Sequence, residues 1–370
     1  MRPQDDKKGK GSGGPLVCHG MVIINSKFLG QRLTGVQRVA FNVSKLLVNK
    51  HRERFLLFAP KGPFNPNYAE LFAKFPLVVG KTTSVIWEQA ELPLFAKQKK
   101  ALILNLANSG PIFYKSNVVV IHDLLWLKYP QSYSSTFRKW YAFMIPRLVK
   151  NALKIVTVSK ASKQDILENL KVSEEKIEVI YPGVDVNTFK PLDLKRENFI
   201  LWVGSRRFYK NLHGLLRAFN ILKEKHKVEH KLILVGINAE NVKDVIRESV
   251  ANEIIFVPEA DDLTLLNFYN RASLFVFPSL YEGFGLPPLE AMACGCPVVA
   301  SRTGGLPEVC GDAAVYCDPY DPEDIAETMY KVITTDELRN ELVKRGLYRA
   351  KMFSWERTAE GLLKVLEEVA

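Results

Sequence analysis

Short apolar runs rich in β-branched and aromatic residues recur along this chain, each followed by a stretch of helical period, and the alternation comes in two series. The first holds MVIIN from Met21, RFLLFA near Phe55, VVVIHD near Val118, IVTVS near Ile155 and IEVIY near Ile177. The second holds FILWVG, KLILVG, EIIFVP, SLFVFP and PVVAS. Helical stripes lie between them: Val36, Val39, Ala40, Val43, Leu46 and Leu47 recur at three- and four-residue steps, as do Leu212, Leu215, Leu216 and Phe219. Continuous apolar strands separated by helices suit a parallel sheet covered on both faces. The pattern therefore predicts an α/β fold with two doubly wound sheets.

The series break at YPGVDVNTFKPLDLKREN, from Tyr181 to Asn198, where Pro182, Gly183 and Pro191 interrupt periodicity. A chain of 370 residues is long for one core, and two domains of roughly 150 to 200 residues fit it better. We place the first domain at 21–190, the second at 191–354 and a terminal helix, with Ser354 as its cap, at 355–370. Residues 1–20 are charged and small, with no apolar stretch of signal-peptide length; they read as a flexible leader or expression remnant, with Met21 a candidate natural start. Ligands of open α/β sheets bind beyond the carboxyl ends of the strands, so a cleft between the domains is the expected site.

Composition narrows the partners. With 47% hydrophobic and 25% charged residues the chain reads as a soluble protein, and no apolar run reaches the ~18 residues that crossing a bilayer needs. A net charge of +11 favours anionic partners such as nucleotides, phospholipid headgroups or nucleic acid. The basic residues are dispersed, without zinc spacing or an RNA-binding signature, so no nucleic acid is expected. Five cysteines without paired CxxC spacings indicate a reducing, cytoplasmic compartment. Cys294-Gly-Cys296 falls where a helix is expected to end at Gly295 and reads as small buried residues.

Two stretches carry chemistry. In YEGFGLPPLEAM, Tyr281 to Met292, a strand ends at Pro278 and Pro287-Pro288 suit the first turn of a helix, where a missing amide hydrogen costs little. Glu282 then lies in the loop and Glu290 in the first helical turn. Backbone N–H groups beside the positive helix end suit a phosphate or a sugar hydroxyl. Carboxylates accept hydrogen bonds from hydroxyls, so a ribose diol and a hexose are natural partners. The segment reads as built for a sugar joined to a nucleotide diphosphate; acids that merely cap a turn are the plain alternative. The GxG start lacks the third glycine of a dinucleotide fingerprint. In VGSRRFYKNLHGLLRAF, Arg206, Arg207 and Lys210 follow the strand FILWVG, where guanidinium and ammonium groups neutralise a pyrophosphate, or simply form a solvated basic surface. His122 ends the strand VVVIHD; a lone histidine there often donates to a backbone carbonyl, and Asp123 reads as a turn or cap residue that could orient the imidazole.

The spacing of Glu282 and Glu290 within GFGLPPLEAMACGCPVVAS resembles the two-glutamate signature of the retaining GT-B glycosyltransferases of family four. LTGVQRVAFNVSKLL, WEQAELP, VVVIHDLLWLKYP, IVTVSKASKQDI, VIYPGVDVNTF, VGSRRFYKNL, TGGLPEVCGDAAVYCDP and FSWERTAEGLL match in order, so the resemblance covers nearly everything from Met21 onward. It implies a GT-B fold: two Rossmann-like domains facing a central cleft, with the last helix crossing back to the first domain. Arg206 and Lys210 resemble the pair that holds the donor diphosphate, with Arg207 competing for the Arg206 role. Glu282 resembles the glutamate facing the transferred sugar, and Glu290 the one bound to the ribose hydroxyls. Backbone amides of Phe284, Gly285 and Leu286 are implied to contact sugar hydroxyls and phosphate. His122 resembles the active-site histidine beside the sugar, and Gly35, in LTGVQ, the glycine that approaches the diphosphate from across the cleft.

The resemblance further implies transfer with retention, a nucleotide-diphosphate sugar as co-substrate, and neither cofactor nor metal. WEQAELP and IHDLLWLKYP resemble members that build bacterial surface polysaccharides by mannosyl or rhamnosyl transfer, which makes GDP-mannose the leading donor and a saccharide or polyprenyl-linked glycan the acceptor, bound in the first domain. A non-catalytic nucleotide-sugar-binding partner of an assembly complex is the alternative. In STFRKWYAFMIPRLVKNALK, Ser135 to Lys154, basic residues interleave with Trp140, Tyr141 and Phe143. That mixture suits peripheral contact with the inner face of an anionic membrane, or a helix whose aromatics pack on the core, with Pro146 disrupting an ideal stripe.

Overall fold

The computed structural model describes residues 20–242 and 246–369; the expected leader and Cys18 lie outside them. In the first lobe seven strands, β1 (Val22–Asn25), β2 (Phe55–Ala59), β3 (Leu77–Val79), β4 (Leu102–Asn105), β5 (Asn117–Val120), β6 (Lys154–Thr157) and β7 (Ile177–Val179), lie in the order β3-β2-β1-β4-β5-β6-β7. In the second lobe six strands, β8 (Glu197–Val203), β9 (Lys231–Val235), β10 (Ile254–Val257), β11 (Ala272–Phe277), β12 (Val298–Ser301) and β13 (Ala314–Cys317), lie in the order β10-β9-β8-β11-β12-β13. All pairings are parallel: Val22 stands between Phe55 and Leu102, and Leu201 between Ile233 and Phe275. Every residue of β1, β4 and β5 is buried, as covering both faces of a sheet requires.

Three strands escape the sequence reading. β3 is a three-residue edge with no fully buried position, β4 lies in the passed-over run ALILN, and β13 lies inside a stretch read only as a motif. In each sheet the strand order reverses beside the lobe's first strand, between β1 and β4 and between β8 and β11. Such a switch point opens a crevice at the carboxyl ends, because the connections on either side leave towards opposite faces. The segments that follow β1, β8 and β11 carry Gly35, Lys210 and Glu282, so the topology delivers those residues to one region.

The helix Gly35–Lys50 follows β1 and buries Val39, Ala40, Val43 and Leu47 against the sheet, the stripe read from its spacing. The helix Trp355–Glu368 lies beside it. Ser354 caps that helix by accepting from the Arg357 amide at 3.3 Å, and Thr358 Oγ1 donates to the Tyr181 carbonyl at 2.9 Å. Lys50–Glu360 and Lys154–Glu368 pairs tie its outer face to the first lobe.

The helix Ser135–Asn151 runs unbroken through Pro146, contrary to the disruption expected there. Pro146 removes the donor that would reach the Ala142 carbonyl; in the next position Arg147 Nη1 donates to the Phe143 carbonyl at 2.8 Å. Met144, Ile145, Leu148 and Val149 form its core face, with Phe137, Trp140 and Tyr141 packed at the margin and Phe143 exposed beneath Arg147. Among the described residues no helix is long and apolar enough to cross a membrane. Cys294, Cys296, Cys310 and Cys317 are free and buried, and burial raises all four thiols above their ordinary range, which leaves them protonated and unreactive.

Candidate active site

The second lobe supplies a loop and a helix end. After Phe277 the chain turns at Pro278 and starts a helix at Leu286, with Pro287 and Pro288 in its first turn. A helix leaves the amides of its cap and first three residues without internal partners; here Pro287 and Pro288 lack hydrogens, so Gly285 and Leu286 are the donors of that turn. Gly285 precedes the helix at φ 114°, a conformation open to glycine. The loop is clamped from β12: Gly305 N–H donates to the Glu282 carbonyl at 2.8 Å, and a Cβ on Gly304, which has φ 55°, would lie 2.2 Å from that oxygen. Phe284 is buried between Tyr181 and Phe353.

The loop after β8 meets it. Phe208 to Lys210 form a 3-10 turn, and Asn211 holds the turn by donating to the carbonyls of Pro278 and Pro319 at 2.9 and 2.6 Å. Lys210 Nζ thereby reaches Glu282 Oε1 at 2.8 Å and sits 4.8 Å from the centre of the Phe277 ring. Both side chains are largely buried, 14% and 9% exposed, so the pair persists in a region of lowered dielectric.

The first lobe faces this pair with His122 and Asp123. A Cβ on Gly283 would stand 2.8 Å from the His122 carbonyl oxygen and 3.0 Å from Asp123 Cβ, so the lobes approach at a distance that glycine alone permits. The His122 imidazole donates from Nε2 to the Leu106 carbonyl at 2.9 Å. A carbonyl only accepts, so Nε2 carries the hydrogen and Nδ1 is left as an acceptor. Burial pushes this imidazole down to about 4, against a smaller upward pull from the Leu106 bond, and it is neutral at neutral pH. Asp123 accepts from the Leu125 amide at 3.1 Å, the turn role read for it. Burial, reinforced by the Glu282 charge, lifts its carboxyl to about 6.

The other expected residues are distributed unevenly. Gly35 begins its helix opposite the second lobe, its Cβ position 3.7 Å from Leu286 Cδ1. Glu290 is the fifth residue of the Leu286 helix, one turn deeper than the first-turn position expected for it. Its Oε2 accepts the Tyr269 hydroxyl at 3.0 Å. Arg206 is exposed and lines an opening of about 860 Å³ shared by both lobes, with Tyr133, Phe137, Phe208 and His213. Arg207 lies 4.4 Å from the centre of the Tyr133 ring and donates to the Ser132 carbonyl. Neither arginine shares the Lys210–Glu282 contact.

Four residues at the site, Arg38, Asp262, Tyr269 and Glu308, escape sequence reasoning. Arg38 of the Gly35 helix donates from both terminal nitrogens to Asp262, at 2.8 and 2.7 Å, with Glu290 Oε1 3.9 Å from its Nε and Tyr269 behind Glu290. The available signal was position: Arg38 follows Gly35 by three residues, which puts both on one helical face. Glu308 was likewise unmarked. Its two oxygens accept from the amides of Lys160 and Ala161, both at 2.8 Å, at the start of the first-lobe helix Lys160–Asn169.

Comparison with known proteins gives a consistent picture. The family model for Glycosyltransferase Family 4 matches residues 33–188, and that for Glycosyl transferases group 1 matches residues 185–348. The chain is 28% identical over 366 residues to O-antigen chain mannosyltransferase B of Escherichia coli, covering 88% of this chain and 93% of that one. It is 30% identical over 274 residues to the serotype-specific mannosyltransferase WbdA of Escherichia coli, covering 68% of this chain and spanning about a third, 34%, of that protein. In three dimensions it resembles Anabaena HepE in complex with UDP-glucose, with TM-score 0.72, 16% identity, and coverage of 94% and 99% of the two chains.

Proposed function

Because the chain belongs to the family 4, group 1 glycosyltransferases and has their two-lobed GT-B fold, we propose that it moves a hexose from a nucleotide-diphosphate sugar to a saccharide or polyprenyl-linked glycan, with retention and without a metal. The observation that carries this reading is the contact of Lys210 with Glu282 at the crevice between the lobes, beside the glycine loop and the start of the Leu286 helix. One group there complements phosphate and its neighbour complements sugar hydroxyls.

In this reading the donor diphosphate and its sugar lie against Lys210 and the Phe284, Gly285 and Leu286 amides. As the bond between the anomeric carbon and the phosphate oxygen lengthens, negative charge grows on the departing diphosphate. A fixed ammonium group and a positive helix end are aimed where that charge develops, and they hold it without reorganising. The acceptor hydroxyl enters on the same face and forms the new bond to the anomeric carbon. Its proton passes to the departing phosphate oxygen, so no side chain is left altered. Glu282 accepts hydrogen bonds from the transferred sugar, and His122 Nδ1 accepts another. Glu290 takes the ribose hydroxyls. Arg206 reaches the diphosphate from the wider opening, and Gly35 lets the first lobe approach it.

Support for a mannosyl donor comes from the activity named for the Escherichia coli relatives; UDP-glucose in the Anabaena structure is the competing precedent. Arg138, Lys139, Phe143, Arg147 and Lys150 are exposed on the Ser135–Asn151 helix, which supports peripheral contact with an anionic membrane at its cytoplasmic face. A thermal-shift panel of GDP-, UDP- and dTDP-sugars tests the donor. Stabilisation by GDP-mannose above the others, followed by a product of unchanged anomeric configuration in proton NMR, is the expected result. An inverted product overturns the single-face mechanism, and preference for a uridine donor overturns the GDP-mannose assignment.

A further inference from the structure

The Gly35–Lys50 helix presents two positions of one face to the second lobe. Gly35 sits over Leu286, and Arg38, three residues on, reaches Glu290, which is four residues beyond Leu286 on its own helix. The two helices thus meet in matched steps. The terminal nitrogens of Arg38 are occupied by the Asp262 carboxylate, and the remaining Nε edge points at Glu290 Oε1 from 3.9 Å. On the far side, the Tyr269 hydroxyl holds Glu290 Oε2 at 3.0 Å. The Arg38 side chain is 20% exposed and that of Glu290 7%, so both charges work where water screens them little.

We propose that Arg38 is a positioning residue for the donor: reaching from the first lobe, it holds Glu290 as the acceptor of a ribose diol, so that recognition of the ribose in a nucleoside diphosphate depends on the two lobes being together. The inference rests on the reading of Glu290 as the ribose-binding carboxylate. A carboxylate buried this far loses hydration, and burial drives Glu290 towards its protonated form while Arg38 opposes that drift. A protonated acid is a poorer acceptor for two hydroxyls. Asp262 supplies the anchor: it takes the planar fork and fixes which edge of the guanidinium faces Glu290. Lysine has no such fork and cannot serve both carboxylates in fixed geometry. A cavity of about 50 Å³ borders Arg38, Asp262, Glu290, Asn42 and Thr188, room for about three water-sized groups and so for the two hydroxyls of a diol.

The test is isothermal titration of the full chain with GDP and 2′-deoxyGDP, and in parallel with UDP and 2′-deoxyUDP. The natural protein should prefer the ribonucleotide of the base it accepts by about tenfold or more, because a site built for a hydroxyl rejects the analogue lacking it. Arg38→Gln should bring that preference to within about twofold, while binding of the deoxynucleotide changes little; Arg38→Lys should reduce it in the same direction with charge retained. Equal weakening of both ligands with the preference intact, in either variant, would show a merely structural contact and overturn the inference. Glu290→Gln separates the two claims. If it abolishes the preference and Arg38→Gln does not, only the inference about Arg38 fails; if it too keeps the preference, the reading of Glu290 fails first.

Discussion

Gly283 of the second lobe lies so close to His122 of the first that a methyl group on it would stand 2.8 Å from the His122 carbonyl oxygen. Real carbon atoms do not approach an oxygen that closely without displacing it. The side chain of Ser162 crosses the same gap, donating to the His122 carbonyl at 2.9 Å and lying 3.4 Å from the Gly283 carbonyl.

Gly283→Ala should therefore hold the lobes apart while leaving each lobe folded. The expected outcome is a fall in kcat of about tenfold to a hundredfold, since an ångström of misplacement at the reacting atoms costs on that order, with an unfolding temperature close to that of the natural protein. Calorimetry beside a transfer assay checks both halves. An alanine variant with full turnover would show that this approach is not used in catalysis.

His122 should make the protein acid-sensitive. Its imidazole is held down to about 4 from an ordinary 6.5 by burial. Between those values the unfolded chain binds the proton and the folded chain resists it, so stability falls as the pH drops below about 6.5 and the loss levels off below about 4. Going from pH 7 to pH 4.5 should cost about 2 to 3 kcal/mol through this residue. Denaturant unfolding of His122→Gln at both pH values should show a correspondingly smaller difference.

Asp123 should act with the opposite sign. Its carboxyl is raised to about 6 from an ordinary 3.8, chiefly by burial, so the folded chain holds the proton more tightly and ionisation above pH 6 is unfavourable to the fold. Asp123→Asn should be stabilising relative to the natural protein at pH 8 and near neutral in effect at pH 4. The amide oxygen can still accept from Leu125. A variant less stable at pH 8 would contradict the assigned cause.

Glu308 should govern the closed arrangement. Its two oxygens take orphan amides at the start of the Lys160–Asn169 helix from across the gap, and one also accepts the Tyr181 hydroxyl at 3.0 Å. A carboxylate in that position is favoured by the helix end as well as by its hydrogen bonds, together about 1 to 2 kcal/mol. Glu308→Ala should raise the radius of gyration in small-angle scattering and weaken donor binding. An unchanged radius would assign Glu308 a local role.

Much of the architecture was legible because it is local. Apolar runs such as FILWVG and KLILVG announce buried strands, and Pro287-Pro288 announces a helix that does begin beside them, at Leu286. β3 and β13 were harder, since half-buried strands of three and four residues carry little periodicity. The contact of Arg38 with Asp262 joins residues 224 apart on separate lobes. No local pattern records such a meeting; it follows only from how the lobes face each other. The same holds for Lys210 and Glu282: each was singled out by its own loop, whereas their contact across 72 residues emerges from the adjacency of β8 and β11.

The central claim is that a fixed cation in the second lobe releases the sugar by holding its diphosphate. The most direct measurement is kcat of Lys210→Met at saturating donor, followed as nucleoside diphosphate formed per sugar transferred, in protein whose circular dichroism matches the natural chain. The account predicts a loss of about a hundredfold to a thousandfold, the scale of removing one donor aimed at developing charge. Turnover within about twofold of the natural protein would contradict it, since effects of that size fall far below those of groups that stabilise a transition state.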